Sequence, residues 1–169
     1  MSKPKKMTKD IVPEGFTLSL AVIDALPVLF FGGSMILIGL LFQSSLFLIG
    51  AGLCFWAGAA KVLWKIIVVT KKKNVWWLFL QMRIVMPVGF ALMLLSVVLR
   101  LNTIRLSAVW AAILSFPSVL FFAAGVLGMV LMGVFASRLD SSDVRANWIE
   151  QLTNALAQAA VFIGLLLLF

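Results

Sequence analysis

The sequence predicts an all-α integral membrane protein, a bundle of about five transmembrane helices with its N-terminus in the cytoplasm and its C-terminus outside. Three observations predict it. Of the 169 residues, 63% are hydrophobic and 12% charged, with a mean hydropathy of +1.15. A soluble domain is roughly half apolar and about a quarter charged, so too little polar surface remains here to cover a globule in water. That balance excludes a soluble domain, a disordered tail and a nucleic-acid module. Second, five runs reach the ~20 mostly apolar residues that a spanning helix needs. Third, the basic residues collect at alternate ends of those runs.

Residues 1–15 are polar, carry Lys3, Lys5, Lys6 and Lys9, and read as a basic cytoplasmic arm. Polar residues and Pro13 precede the first apolar run without a small-residue cleavage site, so a secretory signal peptide is not expected. Residues 16–169 form a single transmembrane domain. Its first span, 16–42, holds Asp24, Pro27 and the Gly32-Gly33 pair, and Gln43-Ser44-Ser45 makes an uncharged turn. The second, 46–70, holds Lys61 and Lys65 and ends at Lys71-Lys72-Lys73-Asn74. The third, 75–99, opens with Trp76-Trp77 and contains Gln81, Arg83 and Pro87.

A short loop from Arg100 to Arg105 leads to the fourth span, 108–136, kinked by Pro117 and long enough to tilt or to lay its first turn in the interface. Asp140, Ser141 or Ser142 is placed to cap the fifth span, 146–169. LPVLFFGG around Pro27 resembles FPSVLFFAAG around Pro117, in helices predicted to run in opposite directions. Inverted repeats are a transporter device.

Sidedness follows from the short loops. With the N-terminus inside, nine basic residues face the cytoplasm: the four N-terminal lysines, Lys71, Lys72, Lys73, Arg138 and Arg145. Only Arg100 and Arg105 lie outside, the bias of the positive-inside rule. Trp76, Trp77 and Trp148 then fall at the inner interface as an aromatic belt. The +8 charge is thereby assigned to topology and to anionic lipid head groups at the inner surface rather than to nucleic acid. The expected setting is the cytoplasmic membrane of a bacterium.

Ionisable groups inside a span are costly and normally face a partner or a cavity. At about 1.5 Å per residue, Lys61 lies roughly 15 Å from the Lys71 boundary, Arg83 roughly 15 Å from Lys73, and Asp24 some 12 to 15 Å above its inner end. Asp24, Lys61 and Arg83 are therefore expected to converge at one level, Asp24 pairing with Lys61 or Arg83. Lys65 is expected to snorkel to the inner surface. Gly50, Cys54, Ala57, Gly58, Lys61 and Lys65 share one helical stripe, which admits a close backbone or leaves room for water or a ligand. In the fifth span Asn147, Gln151, Asn154 and Gln158 form a continuous polar stripe beside Glu150, suited to a cavity wall or to helix–helix hydrogen bonds.

The chemistry of known intramembrane enzymes is missing. Histidine and tyrosine are absent and Cys54 is the single cysteine, which removes zinc motifs of the HExxH kind, Ser–His pairs and intrachain disulfides. Asp24 is the single aspartate within a span, so a carboxylate dyad is not expected. No enzyme activity, metal or cofactor is expected. The residues point to a small transporter or channel for a small ion or anionic solute. Its pathway would run through Asp24, Lys61 and Arg83, lined by Glu150, Gln151, Asn154 and Gln158, in a homo-oligomer. The alternative is a non-catalytic membrane subunit or assembly partner of a larger complex.

Overall fold

A computed structural model of the chain describes residues 17–103, 105–139 and 143–169. Every regular element among them is a helix, and five stretches are long and apolar enough to cross a membrane: Leu18–Phe42, Ser45–Lys71, Trp76–Arg100, Ser118–Phe135 and Val144–Leu166. Five such stretches in one chain fit an integral membrane protein. The arm at 1–15 lies outside the described residues.

The first span is two helices, α1 (Leu18–Ile23) and α2 (Ala25–Phe42). The Thr17 hydroxyl caps α1 by accepting from the Leu20 N–H at 3.2 Å. Pro27 has no N–H to give the Ile23 carbonyl, and the helix is interrupted at Asp24, leaving Pro27 in the first turn of α2 where no donor is required. Gln43, in left-handed conformation (φ 47°), ends α2. Ser44 then caps α3 (Ser45–Lys71), its Oγ accepting from the Phe47 N–H at 3.3 Å and meeting Ser96 Oγ at 2.6 Å.

Helix α3 is the axis of the bundle: 44% of its most apolar window is buried, against 11% in the fourth span. It packs on α2 along one side and on α5 along another. The α3–α5 crossing is a backbone contact, since a Cβ on Gly50 would stand 2.6 Å from the Gly89 carbonyl oxygen. One on Gly89 would stand 2.6 Å from Cys54 Sγ. The small-residue stripe of α3 thus serves a close helix approach at this level, and Cys54 is buried, its thiol donating to the Met86 carbonyl at 3.5 Å.

The third span is α4 (Trp76–Leu80) and α5 (Met82–Arg100), interrupted at Gln81, while Pro87 lies inside α5. The fourth differs from the single kinked helix predicted over 108–136. A short α6 (Leu106–Ile113) stops before Pro117, and α7 (Ser118–Arg138) starts after it. Proline lacks the donor and disfavours helical backbone in the residue before it, so the chain breaks rather than bends. The fifth span is α8 (Val144–Leu166), capped by Asp143, whose Oδ1 accepts from the Arg145 N–H at 3.0 Å. The caps proposed at Asp140, Ser141 and Ser142 lie outside the described residues.

Neighbouring spans alternate in direction. Gly39 sits at Leu48, Ser44 at Ser96, and Gly128 at Ala157, so α2/α3, α3/α5 and α7/α8 are antiparallel pairs. Gly33 at Phe162 sets α8 against α2. One end of the bundle therefore gathers Thr17, the Lys71–Asn74 turn and the start of α8. The opposite end gathers Gln43, Arg100, Arg105 and the end of α8. They are called here the lysine end and the arginine end. Pro27 and Pro117 each open a long helix, at opposite ends.

Candidate functional site: an ion pair between helices at the lysine end

The break at Asp24 decides what the lysine end contains. Asp24 is seven residues beyond the cap Thr17, and Lys65 is seven residues before Lys72, the left-handed residue that ends α3. In antiparallel helices, equal distances from the same end mean equal depth, roughly 10 Å at the α-helical rise. Asp24 and Lys65 accordingly meet: Lys65 Nζ lies 2.7 Å from Asp24 Oδ2, and their side chains are 7% and 6% exposed. This is the ion pair of the described residues.

This geometry corrects the pairing expected from depth alone. Lys65 does not snorkel out; it is buried and holds the carboxylate. Lys61, one turn further from the lysine end, is half-buried and acts on Lys65 through space as a like charge. Arg83 does not join them. It is exposed on α5, with its guanidinium carbon 5.5 Å from the centroid of the Phe79 ring, a cation–π arrangement. The three-charge convergence of Asp24, Lys61 and Arg83 is thus replaced by Asp24 and Lys65 with Lys61 nearby. The reason is axial register: the difference between Lys61 and Lys65 is one turn, about 6 Å, set by where each helix begins.

Helix α8 supplies the other wall. It packs against α1 and α2, and buries Asn147 and Gln151 four and eight residues beyond its cap, bracketing the depth of the pair. Gln151 lies three turns before Phe162, whose ring packs tilted against Phe30 of α2 at 6.0 Å, so Gln151 shares the face that α8 turns to α2. Its Oε1 is buried with no hydrogen-bond partner, as is Ser34 Oγ on α2. Buried acceptors of this kind normally find a donor. Glu150 attracts the Lys65 ammonium through space. Asn154 and Gln158, further along α8, are half-buried. The expected lining residues therefore divide, with Gln151 and Glu150 near the pair and Asn154 and Gln158 further towards the arginine end.

Lys65, Asn147 and Gln81 are the polar residues that site selection from the sequence missed. Equal distance from the helix ends was the signal for Lys65, and the stripe on α8 already contained Asn147. Gln81 interrupts the third span and donates from Nε2 to the carbonyls of Ala57 and Leu78, both at 3.2 Å, which ties α4 to α3. Beside it, Trp64 Nε1 donates to Asn74 Oδ1 at 3.0 Å, and the Trp64 and Trp76 rings pack on Phe79 at 5.0 and 5.1 Å. This aromatic cluster closes the turn that carries Lys71, Lys72 and Lys73.

Among the described residues no group of three or more His, Cys, Asp or Glu comes together; the charged groups at and beside the pair are the Asp24 and Glu150 carboxylates and the Lys65 and Lys61 ammoniums. Comparison with protein-family models, with curated proteins and with solved structures returned no match.

Proposed function

We propose that this chain is a small polytopic membrane transporter or channel for a small ion or anionic solute, with the Asp24–Lys65 pair as its working site. The observation that carries this reading is the placement of the pair. The carboxylate sits at the α1–α2 break, where the backbone of the span is already interrupted, and faces a lysine rather than bulk water. Ionisable groups are kept inside membrane spans mainly where an ion or substrate passes, or where they lock helices together. The unpartnered Gln151 Oε1 and the neighbouring Lys61 favour passage, because a pair built only to lock helices needs neither.

In this reading the N-terminus is cytoplasmic and the C-terminus outside, in keeping with nine basic residues against two. An anion entering from the lysine end competes with Asp24 for Lys65 and then meets Lys61 one turn deeper, which has no ion-pair partner among the described residues. Asp24, once released, is neutralised by a proton or a cation. Glu150 and Gln151 line the approach on α8, and Asn154 and Gln158 continue it. Arg83 is left out of the pathway.

The test is flux through proteoliposomes loaded with potassium chloride, nitrate, phosphate or acetate and followed by light scattering after an osmotic step. The expected result is anion-dependent flux that Asp24→Asn and Lys65→Met abolish while both variants still float with the lipid. Flux at the unaltered rate in both variants overturns the site. A second reading, a non-catalytic subunit of a larger membrane complex, is favoured by Gly52 and Gly133. A Cβ on either would meet nothing within 4 Å, and small residues on open helix faces suit close docking of another helix. It predicts absence of flux from the isolated protein and a stoichiometric second polypeptide when the protein is extracted gently from its host.

A further inference from the structure

The arginine end is built on a different plan. Helix α5 packs chiefly on α3 and α7 chiefly on α8, so the bundle parts between them and leaves a cavity of about 780 Å³. That lies within the roughly 300–1,000 Å³ of ordinary ligand pockets. Its walls are apolar side chains from α2, α5, α6 and α8, among them Ile38, Phe90, Val97, Ala108 and Val161. Its mouth carries Arg100 and Arg105. Phe90 is ten residues before Arg100 on α5, so the cavity runs roughly 15 Å inward from the arginines.

The cations at the mouth have no anion of their own. No aspartate or glutamate occurs between Asp24 and Asp140, and neither arginine has an ion-pair partner among the described residues. Arg100 donates one N–H to the Phe42 carbonyl at 2.8 Å, which ties it to the end of α2; a guanidinium has five such donors. Arg105 is exposed. A deep apolar slot with a cationic rim, placed where a span meets the interface, complements one kind of molecule: an amphiphile with an anionic head and a hydrocarbon tail. A free anion would leave the slot empty, and a zwitterionic lipid would leave the arginines without net charge compensation.

We infer that the arginine end binds a membrane phospholipid with an anionic head group, its phosphate at Arg100 and Arg105 and an acyl chain in the cavity between α2, α5, α6 and α8. The inference does not use the Asp24–Lys65 pair on which the transport reading rests.

The test is native mass spectrometry of the full chain in detergent, titrated with phosphatidylglycerol, with phosphatidylcholine, or with inorganic phosphate. One phosphatidylglycerol is expected to be retained in preference to phosphatidylcholine. Arg105→Gln is expected to weaken that retention about fivefold, the effect of one basic residue near an anionic lipid. Ala108→Trp, which fills the slot, is expected to abolish it. Should Ala108→Trp fail to give a monodisperse protein, Arg105→Gln decides, because its side chain is exposed and the fold does not depend on it. Equal retention of both lipids overturns the inference, as does phosphatidylglycerol retention unchanged by Arg105→Gln. Inorganic phosphate competing at equal concentration would make this a free-anion site, and a lipid-free dimer broken by Ala108→Trp would make it a subunit interface. Either result also overturns the inference.

Discussion

The two ends of this bundle handle charge in opposite ways. At the lysine end a carboxylate and an ammonium are withdrawn between helices, 2.7 Å apart, and the helices close around them with an aromatic cluster at the turn. At the arginine end the cations stay at the rim of an apolar cavity, with no ion-pair partner among the described residues. The difference shows what lets a charge enter a membrane bundle. Lys65 is buried because Asp24 is at its depth, whereas Arg100 and Arg105 have no such partner, Arg100 staying half-buried on the Phe42 carbonyl and Arg105 exposed. Where the partner is internal the helices can close; where it is absent the space between them is left for something else.

The largest way to break this comparison is to remove one member of the pair. Lys65→Met should leave Asp24 buried and uncompensated, costing about 3–5 kcal/mol of stability, read as the shift in thermal or denaturant unfolding in detergent. Asp24→Asn should do the same to Lys65. The double variant Asp24→Asn/Lys65→Met should be far milder than the sum of the two, because replacing both partners leaves no orphan charge. Strict additivity would mean that the two side chains do not depend on each other, and the contrast between the ends would collapse.

A smaller effect sharpens the comparison at the point where the two ends join. Gly89→Ala places a Cβ 2.6 Å from Cys54 Sγ and from the Gly50 carbonyl oxygen, which should cost about 1–3 kcal/mol by overpacking. Gly52→Ala adds a methyl into open space and should stay within about 0.5 kcal/mol. Unfolding midpoints of the two variants side by side check whether α3 and α5 meet at their backbones or merely lie near one another.

The smallest effect concerns Arg83, a cation at the lysine end that stands outside the pair. Arg83→Gln removes a single exposed cation–π contact and should cost no more than about 0.5–1 kcal/mol, with flux through proteoliposomes unchanged. A loss of flux in this variant, with its stability intact, would return Arg83 to the pathway and extend the working site on to α5.

Much of the fold was legible because hydropathy is a property of the chain itself. Five apolar runs of spanning length and the lysine turn follow from residue chemistry along one dimension, whereas the interruption at Asp24 and the full break at Pro117, where a kink was expected, came from the structure. Sequence alone marked Asp24 and Lys61 as costly residues in need of company, and placed Gln151 on the polar face of α8. The partner was harder to read. Depth counted from assumed helix ends carries an uncertainty of about one turn, and one turn is the spacing between Lys61 and Lys65. The break at Gln81 rather than at Pro87 had no local signature either, since Gln81 is held by the carbonyl of Ala57 on a different helix.

By itself, then, the sequence determined the class of the protein, the number of spans and the uneven placement of its basic residues, because each depends on local composition against the energetics of a bilayer. Only the tertiary structure decided that Asp24 takes Lys65, that Arg83 stands apart, and that the bundle parts at the arginine end. Those outcomes depend on the rotation and axial shift of one helix against another, and these are set by close contacts such as Gly50 on Gly89 and Gly128 on Ala157. Packing of that kind is a relation between distant residues, and no single stretch of chain contains it.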